Sequence, residues 1–204
     1  MPRFSTTFFH ELSESSAPSA EPILLADAKL FMKLGADTTD DTLISNLIIT
    51  ARKLVEEYLN RSLITQKLAA YFNRYAGVVY LPHAPVSTIT AVTTISQDNT
   101  ETVLIVDDDY FVKGIDDKYI EFVGNTVLPA GHSVRDTNID FSLKVEYTAG
   151  YGTAGTDVPE PILEAIRRTV LYYYDNRDEV TFSPVNKLPA TAYTLLAPYK
   201  NVSL

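Results

Sequence analysis

Phe141-Ser142-Leu143-Lys144-Val145-Glu146-Tyr147-Thr148-Ala149-Gly150-Tyr151-Gly152, followed by Val158-Pro159, is where the chain changes its pattern. Phe141, Leu143, Val145 and Tyr147 alternate with Ser142, Lys144, Glu146 and Thr148, the two-residue period of a half-buried strand. Past Pro159 the period lengthens. Ile162, Ala165, Ile166, Thr169, Val170 and Tyr173 recur at three-and-four spacing, which predicts a helix over residues 159–177 with these side chains buried. Proline is tolerated in a first helical turn, and Asp157 with Glu160 has the spacing of a capping box.

The same change occurs in reverse nearer the N-terminus. Leu43, Ile44, Leu47, Ile48, Ala51, Leu54, Val55, Tyr58 and Leu59 form a wide apolar stripe, opposite Ser45, Asn46, Arg52, Lys53, Glu56 and Glu57. A helix over 40–60 follows, with Thr39 as its expected cap and Asp40 and Asp41 where the helix dipole favours negative charge. It gives way to strands through Arg61-Ser62-Leu63-Ile64-Thr65-Gln66. A shorter helix is expected over 24–34, ended by Gly35.

Between the junctions, strands are expected at 67–74, 86–95, 102–106, 110–113, 119–123 and 141–148. Turn signals separate them: Leu81-Pro82-His83-Ala84-Pro85, Gln97-Asp98-Asn99, and Lys113-Gly114 with Asp116-Asp117. Six strands make a small antiparallel sheet or sandwich. Residues 1–22, with Ser13, Ser15, Ser16, Pro18, Ser19 and Pro22 beside a few aromatics, read as a flexible arm. Near the other end Pro184 and Pro189 precede a short apolar segment at 193–199.

Composition narrows the function. A chain of 204 residues with 46% hydrophobic and 21% charged residues can bury a sizeable core. It has no cysteine, which removes disulfides, thiolate metal sites and thiol nucleophiles and fits a reducing compartment. No apolar run reaches the ~20 residues of a spanning helix, and polar residues interrupt any signal-like stretch near Phe4, Phe8 and Phe9. Net charge is −9 and no basic cluster exceeds Arg167-Arg168, against tight phosphate binding.

No catalytic constellation emerges, so no catalytic, cofactor or metal residue is assigned. Gly150-Tyr151-Gly152-Thr153-Ala154-Gly155 fits G-x-G-x-x-G, but its third glycine precedes the helix and Asp175 and Asp178 fall at a helix end. A strand-to-helix loop is the reading preferred over a nucleotide site. Asp107-Asp108-Asp109 lacks the alternate spacing of a cation loop and reads as a solvated turn. His10, His83 and His132 are isolated, and no G-x-S-x-G elbow occurs. In Tyr172-Tyr173-Tyr174, Tyr173 joins the buried stripe. Tyr172 and Tyr174 are left to a subunit interface or to ordinary packing, two outcomes the sequence does not separate.

Taken in order, these segments resemble the head–tail connector (adaptor) family of long-tailed bacteriophages, once labelled as possible DNA-packaging proteins. The likeness runs through Leu25-Ala26-Asp27-Ala28-Lys29, Asp40-Asp41, Leu47-Ile48, Ala51-Arg52 and Val55-Glu56-Glu57-Tyr58 to the junction at 61–66. It continues through Leu81-Pro82, Pro85-Val86, Tyr147, Gly150-Tyr151-Gly152, Val158-Pro159, Ile162, Ala165-Ile166, Asn176-Arg177-Asp178-Glu179 and Leu195-Leu196-Ala197-Pro198-Tyr199. Leu59-Asn60 departs from the Thr-Gly that the family often has, and the arm at 1–22 is longer than usual.

The resemblance implies an α+β fold: a small helical bundle from the flanking helices with an inserted antiparallel β module. The expected parts are an arm (1–22), bundle helices (23–62), a β-rich insertion (63–149), a long helix completing the bundle (150–180) and a docking tail (181–204). It implies a structural virion protein at the portal vertex, assembled in the host cytoplasm, forming a dodecameric ring under the portal protein. Such a ring extends the DNA channel and carries the next neck or tail-completion protein. Double-stranded DNA would pass without sequence-specific binding, and no membrane or cofactor is involved. Tyr193, Leu195, Leu196, Pro198 and Tyr199 are then the expected portal-docking residues, and Tyr172 and Tyr174 the expected subunit interface. The alternatives are another neck or tail-terminator ring component, or a nucleotide-binding enzyme using the loop from Gly150 to Gly155.

Overall fold

The computed structural model describes residues 8–74, 77–96, 100–123, 143–176 and 188–200. The expected strand start at Phe141, the turn Gln97-Asp98-Asn99, His132, the helix end Arg177-Asp178-Glu179 and tail residues 181–187 and 201–204 lie outside them. The fold is α+β, with helices from both flanks of the sequence and an antiparallel β module built from the segment between them together with an N-terminal strand. It forms two compact units, residues 1–17 with 66–150 and residues 18–65 with 151–204.

The β unit holds eight described strands: β1 (Phe8–Ser16), β2 (Gln66–Arg74), β3 (Val78–Tyr80), β4 (Val86–Ile95), β5 (Glu101–Val103), β6 (Tyr110–Lys113), β7 (Tyr119–Phe122) and β8 (Leu143–Ala149). One sheet has the order β1-β2-β8-β4-β5 and the other β3-β7-β6, with every neighbouring pair antiparallel. β8 lies at the centre of the larger sheet, pairing Val145 with Ala70 on one side and Val92 on the other. Its alternation holds to the residue: Leu143, Val145, Tyr147 and Ala149 are buried and Lys144, Glu146 and Thr148 half-buried. Leu68, Ala70, Phe72, Val79, Val92 and Ile120 pack into the same core.

Three expectations change here. Residues 8–16, read as arm, are an edge strand paired with β2, with Leu12 packed against the core. Register shifts interrupt this strand at three places, which breaks the alternation a sequence reader looks for. β3, three residues long, was not expected at all. The strand anticipated at 102–106 stops at Val103, because Asp109 accepts the Ile105 N–H at 2.8 Å and folds the chain into a turn.

The helical unit contains α1 (Leu25–Phe31), α2 (Asp41–Leu59), α3 (Glu160–Asp175) and α4 (Ala190–Leu196), with 3-10 turns at Gly155–Asp157 and Ala197–Tyr199. Its core joins Ile44, Ile48, Ala51, Val55 and Leu59 of α2 to Ile162, Ala165, Ile166 and Val170 of α3 and Ala192 and Leu196 of α4. Each fully buried Leu or Ile contributes about 1.5–3 kcal/mol relative to exposure. α2 ends where Asn60 turns left-handed (φ 52°) and the Arg61 N–H donates back to the Glu56 carbonyl at 3.2 Å. Asparagine thus does here what glycine usually does at a helix end.

Two caps differ from expectation. Thr39 does not cap α2; its hydroxyl and N–H both donate to the Asp37 carboxylate, and Asp40 occupies the cap position. Asp157 does not cap α3 either. Its carboxylate accepts the Ala154 N–H at 3.0 Å and closes the preceding 3-10 turn.

Candidate interaction surfaces

The two junctions lie side by side in the helical unit. Ile64 and Gly152 form a parallel bridge, Thr65 N–H donates to the Gly152 carbonyl at 2.8 Å, and Tyr151 N–H donates to the Leu63 carbonyl at 3.1 Å. The chain therefore leaves and re-enters this unit through one paired crossing.

A buried ion network fixes that crossing. The Arg52 guanidinium donates to Glu21 at 2.8 Å and to Glu56 at 2.7 Å, and the other Glu56 oxygen accepts the Leu63 N–H at 2.9 Å. Arg52 and Glu56 are 5% and 6% exposed, so their charges persist only because they are paired. Burial opposes the charged guanidinium, yet the hydrogen bonds and charges of Glu21 and Glu56 hold Arg52 above its ordinary pKa. Sequence reading placed Arg52 and Glu56 on the solvent side of the helix. Their i,i+4 spacing was the available signal, but an ordinary surface pair has the same spacing.

The glycine loop is explained by packing. Gly150 takes a positive φ of 134°; a side chain on Gly152 would overlap the Asp157 carboxylate, and one on Gly155 the Pro22 carbonyl. Each glycine has a steric reason that involves no ligand. Asp107-Asp108-Asp109 forms the turn between β5 and β6: Asp109 holds the Ile105 N–H, and Asp107 and Asp108 are exposed. Burial, with the charges of Asp107 and Asp109, pushes the Tyr110 phenol up. Among the described residues no group of three or more His, Asp or Glu side chains could hold a metal ion. Among the described residues no helix is long and apolar enough to cross a membrane.

The tyrosine triplet is rotated by one residue from the expected arrangement. Tyr174 packs against the helical core and its hydroxyl donates to Asp40 at 2.6 Å, tying α3 to the start of α2. Tyr172 stands edge-on to Tyr173, with ring centroids 5.6 Å apart. Both interface candidates are half-exposed, and Tyr174 is in addition tied to Asp40 and the helical core of its own chain.

The C-terminal candidates are also redistributed. Leu196 is fully buried, so it is a core residue and drops out as a docking anchor. Tyr193 meets Tyr58 edge-on at 5.0 Å, Lys200 lies 4.6 Å from the same ring, and Arg61 donates to the Tyr199 carbonyl at 2.7 Å. The expected docking tail is, over 188–200, packed into the bundle through Leu188, Ala192 and Leu196. Tyr193, Leu195 and Tyr199 remain half-exposed and Pro198 exposed.

Sequence reading missed the outward apolar side chains of the β unit: Val103, Ile105, Val106, Phe111, Val112 and Ile115. In β-rich sequence, which apolar residues lack cover depends on strand order. Tyr80 and Tyr119, directly paired across β3 and β7, add two rings 5.2 Å apart.

Residues 23–202 match the model of the head completion protein family. Three solved chains share the fold. One is from the neck of an empty GTA particle computed with C6 symmetry (18% identity, 96% of this chain and 97% of that one, TM-score 0.75). Another is from the virion of a native gene transfer agent particle (20% identity, the same coverage, TM-score 0.73). The third is from the neck of a native GTA particle computed with C12 symmetry (19% identity, the same coverage, TM-score 0.69). No curated protein matches the sequence.

Proposed function

This chain belongs to the head completion protein family, as a structural component and not an enzyme, and from that membership we propose that it forms a ring in the neck of a phage-like particle, directly under the portal. The observation that carries the proposal is the likeness in fold, over 96% of this chain and 97% of the other, to a protein from a particle neck. A neck structure computed with C12 symmetry favours a dodecamer. A head-to-tail ring needs two different faces on each subunit. The exposed apolar and aromatic side chains of the β unit, and the half-exposed Tyr172 and C-terminal residues of the helical unit, are available for such faces.

In this reading Tyr193, Leu195, Pro198 and Tyr199 contribute to the portal-facing surface, and the other ring face receives the next neck or tail-completion protein. The net charge of −9 suits a conduit, since acidic walls repel phosphate and let double-stranded DNA slide. Electron microscopy of the chain co-expressed with its portal tests the proposal. A second annulus stacked coaxially on the portal is the expected result. Portal rings that stay bare in the presence of folded protein would overturn it.

A further inference from the structure

α1 borders an open groove lined by Leu25, Ala26, Lys29, Leu30, Lys33 and Gly35. Leu30 is 79% exposed, so the groove presents apolar surface that its own unit leaves uncovered. Its local charge is set by a short inventory. Lys29 is paired with Asp41 at 2.6 Å, while Asp37, whose carboxylate accepts from Thr39, and Asp27, whose charge acts on Arg167 of α3, lie outside the groove's lining. Exposed Lys33 is left as the groove's cation.

The β unit carries the complementary chemistry. Ile105 and Val106 are 60% and 49% exposed and are followed at once by exposed Asp107 and Asp108. Asp109 N–H donates to the Ile105 carbonyl, Asp107 N–H to the Tyr110 carbonyl, and Ile105 N–H to the Asp109 carboxylate, each at 2.8 Å. The turn is therefore pre-organised, and little ordering cost attends its docking.

We propose that the turn Ile105-Val106-Asp107-Asp108 of one copy seats in the α1 groove of a second copy, with its apolar pair against Leu25 and Leu30 and its acids facing Lys33. Charge complementarity selects this occupant, because the groove offers a cation beside apolar surface and the turn offers carboxylates beside apolar side chains. Turn and groove are different surfaces of the chain, so the contact is heterologous and propagates from copy to copy. This rests on the ring reading above and names its subunit contact.

The absence of cysteine makes the test clean. Full-length Leu30→Cys and Ile105→Cys chains are mixed, co-assembled with portal and oxidised, with Leu30→Cys plus Ile115→Cys as a control pair. Ile115 is 88% exposed and lies outside the turn. The expected result is a disulfide-linked heterodimer for the first pair only. Lys33→Glu or Asp108→Lys alone should lower its yield about tenfold, and the two in opposite chains should restore it. Yields no higher than the Ile115 control would overturn the contact, as would charge reversals without effect. Native mass spectrometry of the wild-type assembly separates the two readings. A closed ring without the Leu30–Ile105 link removes this contact and leaves the ring; a link without a closed ring does the reverse.

Discussion

The helical unit and the β unit use their apolar side chains differently. Among the described residues ten large apolar side chains are exposed: Leu24, Leu30 and Ile49 belong to the helical unit, whereas Tyr80, Val103, Ile105, Val106, Phe111, Val112 and Ile115 belong to the β unit. The helical unit instead turns inward, with a buried ion network and a C-terminal segment packed on α3 and held at Tyr58 of α2 and at Arg61. The helical unit buries most of its large apolar side chains, and the β unit leaves more of them exposed. Four substitutions probe that division.

Arg52→Ala should have the largest effect. It leaves Glu56 buried without its cation, and breaking a buried pair costs about 3–5 kcal/mol. Helical circular dichroism should melt at markedly lower temperature, while amides of β2 and β8 keep their exchange protection. Unchanged melting would mean that the network is hydrated and the helical unit less inward than described.

Leu196→Ala comes next, at about 2–5 kcal/mol for a fully buried leucine. The two readings of the C-terminal segment part here. A docking anchor on a mobile tail would lose portal affinity with no change in melting, whereas a core residue lowers the melting temperature of the isolated protein.

Tyr174→Phe removes only the hydroxyl donated to Asp40, and a net loss of about 1 kcal/mol is expected in a urea titration. An unchanged titration would mean that the hydrogen bond to Asp40 adds nothing to the joining of α3 and α2.

Much of this division was legible in the sequence, and the residues where it was not share a cause. The stripes of α2 and α3 and the alternation of β8 could be read because each repeats over enough residues to fix a face. One position at the end of a stripe is less constrained. From Val170, spacing three leads to Tyr173 and spacing four to Tyr174, and only the neighbouring Asp40 decides between them. Likewise Asp157 sat at capping distance from Glu160, but the closer Ala154 N–H captured it. β1 stayed hidden because its partner β2 lies some fifty residues away and its register shifts erase the period. The candidate surfaces were the least legible part. An apolar run such as Tyr193 to Tyr199 looks the same whether it will meet its own core or another protein, and only tertiary packing separates Leu196 from Leu195.

Phe111→Ser carries the smallest expected effect on folding and the sharpest test of the β unit. Phe111 is on edge strand β6 opposite Glu121, 39% exposed, with the Lys113 ammonium 5.7 Å from its ring. A partly exposed edge residue outside the core costs about 0.5 kcal/mol or less when replaced. Edge strands that present apolar side chains invite association unless another chain covers them. The substitution should therefore leave unfolding almost unmoved while lowering recovery of the chain on portal-bearing particles, measured by quantitative immunoblot of purified assemblies. Normal recovery with normal stability would show that this face is not a contact. A fall of several degrees in melting temperature would place Phe111 in the core and remove it from the difference between the two units.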